Sequence, residues 1–182
     1  MKKVLEFAHF LIKENLKNND NSIDMTVGNG NDTLYLAAIS NHVYGFDIQQ
    51  RAIDNTNKRL NANNVNNVSL YLDSHTNVDK YNLADIGAVI FNLGYLPTGD
   101  KNITTNYKTT LEALNKALKL LKVNGICVLV IYPGHQPGLE ESNAILEFSK
   151  SLNQKQYSVL KYNFINQINN PPYLIAIQKI KD

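Results

Sequence analysis

Ten residues near the N-terminus, DMTVGNGNDT at 24–33, gather side chains able to hold a polar ligand. They are Asp24, Asn29, Asn31, Asp32 and Thr33, with Gly28 and Gly30 between them. The two glycines let the backbone turn sharply and approach a ligand closely. Against the dinucleotide pattern G-x-G-x-x-G, the third glycine is replaced by Thr33. A pyrophosphate favours bare backbone at a helix N-terminus. This loop instead offers donors and acceptors suited to the ammonium and carboxylate of a methionine-like group, although a plain strand-to-helix turn has the same composition. Asp47, in YGFDIQ, could accept hydrogen bonds from both hydroxyls of a ribose, with Gln49 close behind; a helix N-cap is its plainer use. Asp73-Ser74-His75 could meet the edge of a base. Three such groups at the ends of successive strands point to a nucleoside site.

A second set belongs to the reacting end. FNLGYLP at 91–97 carries Asn92, whose carbonyl oxygen could orient an amine N–H; a strand-end turn residue is the equal alternative. YPGH at 132–135 carries Tyr132 and His135. His135 could take a proton near neutral pH or contact a phosphate, and a lone loop histidine also serves as a surface hydrogen-bonding residue. The segment NQINNPP at 166–172 should form a third loop on the same rim. Asn170-Pro171-Pro172-Tyr173 spells the NPPY tetrad that many amine methyltransferases place after their fourth strand. Here it opens the last strand, so it reads as a rigid hairpin tip. His9 and His42 read as structural histidines, His75 as a wall of the site, and no residue spacing suits a metal.

These groups need strands to carry them. Periodicity predicts a helix over 3–18 with Leu5, Ala8 and Ile12 on one stripe, a strand over 22–26, and a helix from the glycine loop to 39. A strand over 42–47, a helix over 49–63 with Ile53, Thr56 and Leu60 inward, and strands over 67–72 and 87–93 follow. A helix over 106–121 places Leu111, Leu114, Leu118 and Leu121 on one face and ends at Asn124-Gly125. A strand over 126–132 and a helix over 139–152 complete the alternation. The strand-like stretches 156–165 and 173–180 are too close for a crossover helix, so they form an antiparallel hairpin. The expectation is an α/β fold: one domain over 1–182, with a mostly parallel seven-stranded sheet closed by that hairpin. Dinucleotide dehydrogenases usually add a substrate domain, and no residues remain for one. Rossmann-like methyltransferases end in such a hairpin.

Composition sets outer limits. Hydrophobic residues make up 43% and charged residues 19% of 182, ordinary for a globular protein. No apolar run reaches the ~20 residues of a membrane span. The N-terminal stretch interrupts its apolar residues with His9, Lys13 and Glu14 and reads as an amphipathic helix, not a leader. Cys127 is the only cysteine, within ICVLVIY, which fits a buried thiol in a cytoplasmic protein. The net charge of +2 permits an RNA partner without requiring one.

The strings DMTVGNGNDT, VYGFDIQ, DSH, FNLGYLPTGDK, YPGH and NQINNPP, in register along the chain, together resemble a bacterial family described as rRNA methylases. Its members look like the tRNA methyltransferase that completes 5-methylaminomethyl-2-thiouridine at the wobble position. The resemblance implies a class I methyltransferase using S-adenosylmethionine held by Asn29, Asn31, Asp47, Gln49, Ser74 and His75. Asp24, Gly28, Gly30, Asp32, Thr33 and Asp73 join them as candidate cofactor residues. Candidate catalytic side chains are Asn92, Tyr132 and His135. Candidate substrate contacts are Gly94, Tyr95, Pro97, Lys101, Asn166, Gln167 and Asn169. The implied partner is the tRNA anticodon loop, met by the rim loops or by a homodimer. Methyl transfer to rRNA or a small molecule, and cofactor binding without catalysis, stand as alternatives.

Overall fold

The computed structural model describes residues 1–94, 106–134 and 136–182. In chain order it runs α1 (Val4–Asn15), β1 (Asn21–Asp24), α2 (Asn31–Ala37), β2 (Val43–Asp47), α3 (Gln50–Ala62) and β3 (Val68–Leu72). A 3-10 helix (His75–Lys80) precedes β4 (Ile86–Asn92), α4 (Tyr107–Leu120) and β5 (Leu121–Ile131). The chain closes with α5 (Gln136–Ser151), β6 (Tyr157–Tyr162) and β7 (Tyr173–Lys179). The strands form one seven-stranded sheet in the order β3-β2-β1-β4-β5-β7-β6. β7 alone runs against the rest, antiparallel to both β5 and β6, as the short spacing of the last two strands demands.

Helices cover both faces of the sheet, and β4 shows why its sequence is continuously apolar. Val89 and Phe91 point into a core shared with Leu114 and Leu118 of α4 and Ile145 of α5. Ala88 and Ile90 point the other way, onto Ala8 and Ile12 of α1 and Leu36 of α2. Successive side chains of a strand face opposite sides, so a strand between two layers cannot spare a polar position. Cys127 sits fully buried in the first of these cores, and burial drives its thiol pKa far up, which makes it inert. Among the described residues no helix is long and apolar enough to cross a membrane.

Several boundaries differ from the sequence expectation. The first helix stops at Asn15, three residues before 18. Asn124-Gly125 does not end α4, which stops at Leu120 because Leu121 is drawn into the sheet opposite Ile86. The pair instead makes an irregularity within β5, where the register jumps from Ile86↔Leu121 to Ala88↔Ile126 and Asn124 takes φ 68°. A Cβ at Gly125 would lie 2.9 Å from Leu121 Cγ and from the Lys122 carbonyl oxygen and 3.0 Å from that of Gly87, so the backbone of β5 and of the adjoining β4 crowds out a side chain. The last helix begins at Gln136 rather than 139, with Pro137 in the first turn, where its missing N–H is harmless. β6 ends at Tyr162, short of 165. The 3-10 helix was not expected.

The chain builds β1, β2 and β3 outward in one direction, then returns to lay β4 and β5 on the other side of β1. The topological switch point therefore falls between β1 and β4, and the loops leaving their carboxyl ends diverge to leave a crevice.

Candidate functional site

That crevice is a cleft of about 760 Å³, within the range of about 300–1,000 Å³ typical of small-molecule sites. Its lining comes from the carboxyl ends of β1, β2, β4 and β5, from the turn after β3, from the hairpin tip before β7, and from Leu5 on α1.

The glycine loop shapes one end. Gly30 takes φ 74° and caps α2, and a Cβ there would fall 2.6 Å from Thr56 Oγ1 on α3. Both the left-handed turn and the contact with α3 exclude a side chain, so the loop delivers Asn31 and Asp32 at a fixed angle. Asp47 ties this loop to β2: its Oδ2 accepts from the Gly28 N–H and its Oδ1 from the Gln49 N–H, both at 2.9 Å. Each carboxylate oxygen keeps a further lone pair, so this structural role leaves acceptor capacity facing the cleft. The N-cap of α3 is Gln49, not Asp47.

Of the twelve expected cofactor residues, Gly28, Asn29, Asn31, Asp32, Asp47, Gln49, Asp73, Ser74 and His75 line the cleft. Asp24, Gly30 and Thr33 do not; they lie in the layer beneath it. Asp24 is fully buried and accepts from Thr33 Oγ1 at 2.6 Å and from the Thr26 N–H at 3.1 Å. Burial first, and then the neighbouring Asp32, pushes its carboxyl up to about 7.

Asp73 carries out a task the sequence did not reveal. It accepts from the Ser74 N–H and from Asn77 Nδ2, both at 2.7 Å, and from the Tyr81 hydroxyl at 2.9 Å. These bonds, led by that of Asn77, hold its carboxyl below the usual range and pin the 3-10 helix. His75 Nδ1 lies 3.1 Å from the Met25 carbonyl oxygen. A carbonyl only accepts, so Nδ1 bears the proton and Nε2 remains an acceptor. Burial lowers its pKa and keeps the ring neutral.

Asn92 ends β4 at the centre of the cleft. Thr26 Oγ1 accepts its backbone N–H at 2.8 Å, and Asp32 Oδ2 accepts its Nδ2 at 2.9 Å. The other oxygen of Asp32 lies 2.7 Å from His9 Nε2, and the His9 ring stacks on Tyr35 at 3.9 Å. His9, a structural histidine by its sequence context, is linked to the candidate reacting group by one carboxylate. Nothing local could have revealed this, because its partner is 23 positions away on another helix.

Tyr132 and Gly94 line the cleft, while Tyr95, Pro97, Lys101 and His135 lie outside the described residues. The Tyr132 phenol is pushed above its ordinary pKa by burial and then by the charge of Asp32, so it is held as an O–H donor. Asn169 reaches the cleft, but Asn166 and Gln167 are exposed and off its lining. In their place stand Asn170, Pro171 and Pro172. The sequence reading put NQINNPP on this rim with NPPY as its rigid tip, and Asn169 to Pro172 do line the cleft. Because β7 inserts between β5 and β6, its start lies beside the end of β5, and Asn169 and Asn170 turn the chain over the cleft at φ 64° and 48°. Thr26 and Thr109, also unforeseen, join the lining.

Residues 43–178 match the family described as "Putative rRNA methylase". The chain belongs to this family. Two similar solved structures are a "putative rRNA-methylase" from Clostridium thermocellum and a "putative methyltransferase" from Streptococcus mutans in complex with SAH. The first is 47% identical, covers 99% of both chains and superposes with a TM-score of 0.96. The second is 39% identical, covers 98% of this chain and 99% of the other, and has a TM-score of 0.93. A curated relative, the chloroplastic tRNA (mnm(5)s(2)U34)-methyltransferase of Arabidopsis thaliana, is 35% identical over 91% of this chain. This chain spans 66% of that relative's length. Within the methylase family match, which begins at 43, lie Asp47, the DSH turn, Asn92 and the hairpin tip; His9 and the glycine loop precede it.

Proposed function

We propose that this methyltransferase transfers the methyl group of S-adenosylmethionine to the primary amine of 5-aminomethyl-2-thiouridine at the tRNA wobble position, giving 5-methylaminomethyl-2-thiouridine. Methyl transfer from S-adenosylmethionine is the activity of its family, and the full-length likeness to a methyltransferase solved with SAH supports it. The finer reaction rests on one observation, the 35% identity with the wobble-uridine enzyme over nearly the whole chain.

The cleft suits such a donor. Asp47 retains acceptor capacity for ribose hydroxyls, and Ile48 beside it, 61% exposed, offers an apolar face to a base. Asn29 and Asn31 supply the mixed donors and acceptors that an amino-acid tail requires. When bound, S-adenosylmethionine supplies an electrophilic methyl group on a sulfonium sulfur. The remaining task of the chain is alignment, because in-line displacement gains most from holding nucleophile and methyl in one geometry. Asn92 would accept an N–H from a neutral amine through Oδ1, leaving the nitrogen lone pair for the new N–C bond as the S–C bond breaks. The proton released from the product amine passes to solvent. Tyr132, held protonated, serves as a donor at the rim and not as the base. The prolines and asparagines of the hairpin tip would receive an unpaired base, the form in which RNA is usually read. An anticodon loop presents such a base without opening a duplex.

The test is methylation of tRNA from cells that stop at 5-aminomethyl-2-thiouridine, followed by mass spectrometry of the digested nucleosides. The expected product carries the new methyl on the arm nitrogen, and unmodified transcripts react poorly. Methyl on a ring carbon, on ribose, or only on ribosomal RNA overturns the wobble assignment.

A further inference from the structure

A line of hydrogen bonds leads from the N-terminal helix to the centre of the cleft: His9 to Asp32, and Asp32 to Asn92. We propose that His9 is a positioning residue for methyl transfer, acting through Asp32 to lock the Asn92 amide with its carbonyl oxygen available to the substrate nitrogen. The inference rests on the reading of Asn92 given above and extends it to a residue that does not line the cleft.

The physical problem is the symmetry of the amide. Its NH2 and its oxygen have nearly the same shape, and a half-turn exchanges donor for acceptor. With NH2 turned to the substrate, the amine N–H groups would meet another donor and the nucleophile would lose its guide. A carboxylate can only accept, so Asp32 Oδ2 at 2.9 Å forces Nδ2 toward itself and leaves Oδ1 for another partner. Among the described residues Oδ1 of Asn92 receives no donor.

Asp32 can do this only if it is itself held. Its side chain is 7% exposed, and a buried carboxylate needs donors on both oxygens to keep its place. His9 Nε2 is the donor to the second one, at 2.7 Å. The imidazole is in turn clamped by α2: its ring lies 5° from parallel with Tyr35, and the Tyr35 hydroxyl donates to the His9 carbonyl oxygen at 3.0 Å. Asp32 and Tyr35 stand three positions apart on α2, so one face of that helix grips His9 by ring and by carboxylate. The main chain of Asn92 is fixed separately by Thr26. Loss of His9 therefore acts on the side chain of Asn92 and not on the path of β4. His9 is not placed to take the substrate proton, since Nε2 is engaged and the carboxylate of Asp32 stands between it and Asn92.

Two variants separate the hydrogen bond from packing. His9→Phe keeps a ring on Tyr35 and removes the donor; His9→Gln restores an N–H close to the position of Nε2. On tRNA bearing 5-aminomethyl-2-thiouridine, His9→Phe should lower kcat about tenfold, the scale of one charge-assisted hydrogen bond, with KM for S-adenosylmethionine within about twofold of the parent. His9→Gln should recover most of the loss. Unchanged kcat in the Phe variant, equal loss of kcat and cofactor affinity, or a Gln variant as slow as Phe would overturn the role. A second measurement needs no RNA: the side-chain NH2 resonances of Asn92, assigned by their absence in Asn92→Asp. They should shift in His9→Phe and return in His9→Gln, and constancy across all three proteins overturns the inference. If the parent protein does not methylate this tRNA, the substrate reading fails by itself, and the resonances alone decide the role of His9.

Discussion

Replacing Gly30 with alanine should damage the glycine-loop end of the cleft through backbone strain and through one contact with Thr56. At φ 74° the residue sits in the left-handed region, where an L side chain costs about 1–2 kcal/mol. The added Cβ would also lie 2.6 Å from Thr56 Oγ1, 2.7 Å from its Cγ2 and 3.0 Å from its Cβ. Thr56 is fully buried and β-branched on α3, so it cannot swing aside, and overpacking of this kind costs about 1–3 kcal/mol. The sum is roughly 2–5 kcal/mol, against a total stability of about 5–15 kcal/mol for a folded protein. Gly30→Ala should therefore stay folded at room temperature, with Tm lowered by roughly 5–20 °C. Thr56→Ala removes the two nearest atoms. It should make the double variant less destabilised than the sum of the singles, by about 1–3 kcal/mol in urea titrations. The backbone strain stays, so recovery is incomplete. A single variant within about 0.5 kcal/mol of the parent, or strict additivity of the pair, refutes the argument that contact with α3 fixes this turn.

Asp47→Asn should weaken S-adenosylmethionine binding at least tenfold by calorimetry, because in the proposed reading the carboxylate would receive ribose hydroxyls while it holds the Gly28 and Gln49 N–H groups; undiminished affinity would remove Asp47 from the site. For Asp24, the folded carboxyl titrates at about 7 against 3.8 when exposed, so between those values the folded state holds the extra proton. Its contribution is fully present below the lower value and is lost as pH rises through 7. Asp24→Asn should accordingly flatten the fall in Tm between pH 5 and 8, and an unchanged slope would contradict the burial assigned to this group.

Much of the architecture was written in local patterns. Strands packed on both faces must be apolar throughout, as IGAVIFN is, and amphipathic helices must repeat at 3.6 residues, as Leu114 and Leu118 do. The short link between the last two strands forced a hairpin, and glycine, aspartate and asparagine at the strand ends marked the end of the sheet that bears the cleft. Each of these is a property of neighbours in sequence. The rest came from groups that meet only after folding. Asn124-Gly125 looked like a helix stop, but the pull of Leu121 toward Ile86 ended the helix at Leu120 and left the pair inside β5. Asp24 and Thr33 looked like ligand groups and became each other's partners, because the loop folds over them. Asn166 and Gln167 looked like substrate contacts, but Asn170, Pro171 and Pro172 reach the cleft instead, because β7 slots between β5 and β6, an order no local signal specifies. His9 acquired its place from a carboxylate and a tyrosine on a different helix. A hydrogen bond depends on distance in space, and spacing along the chain predicts that distance only within one helix, strand or turn.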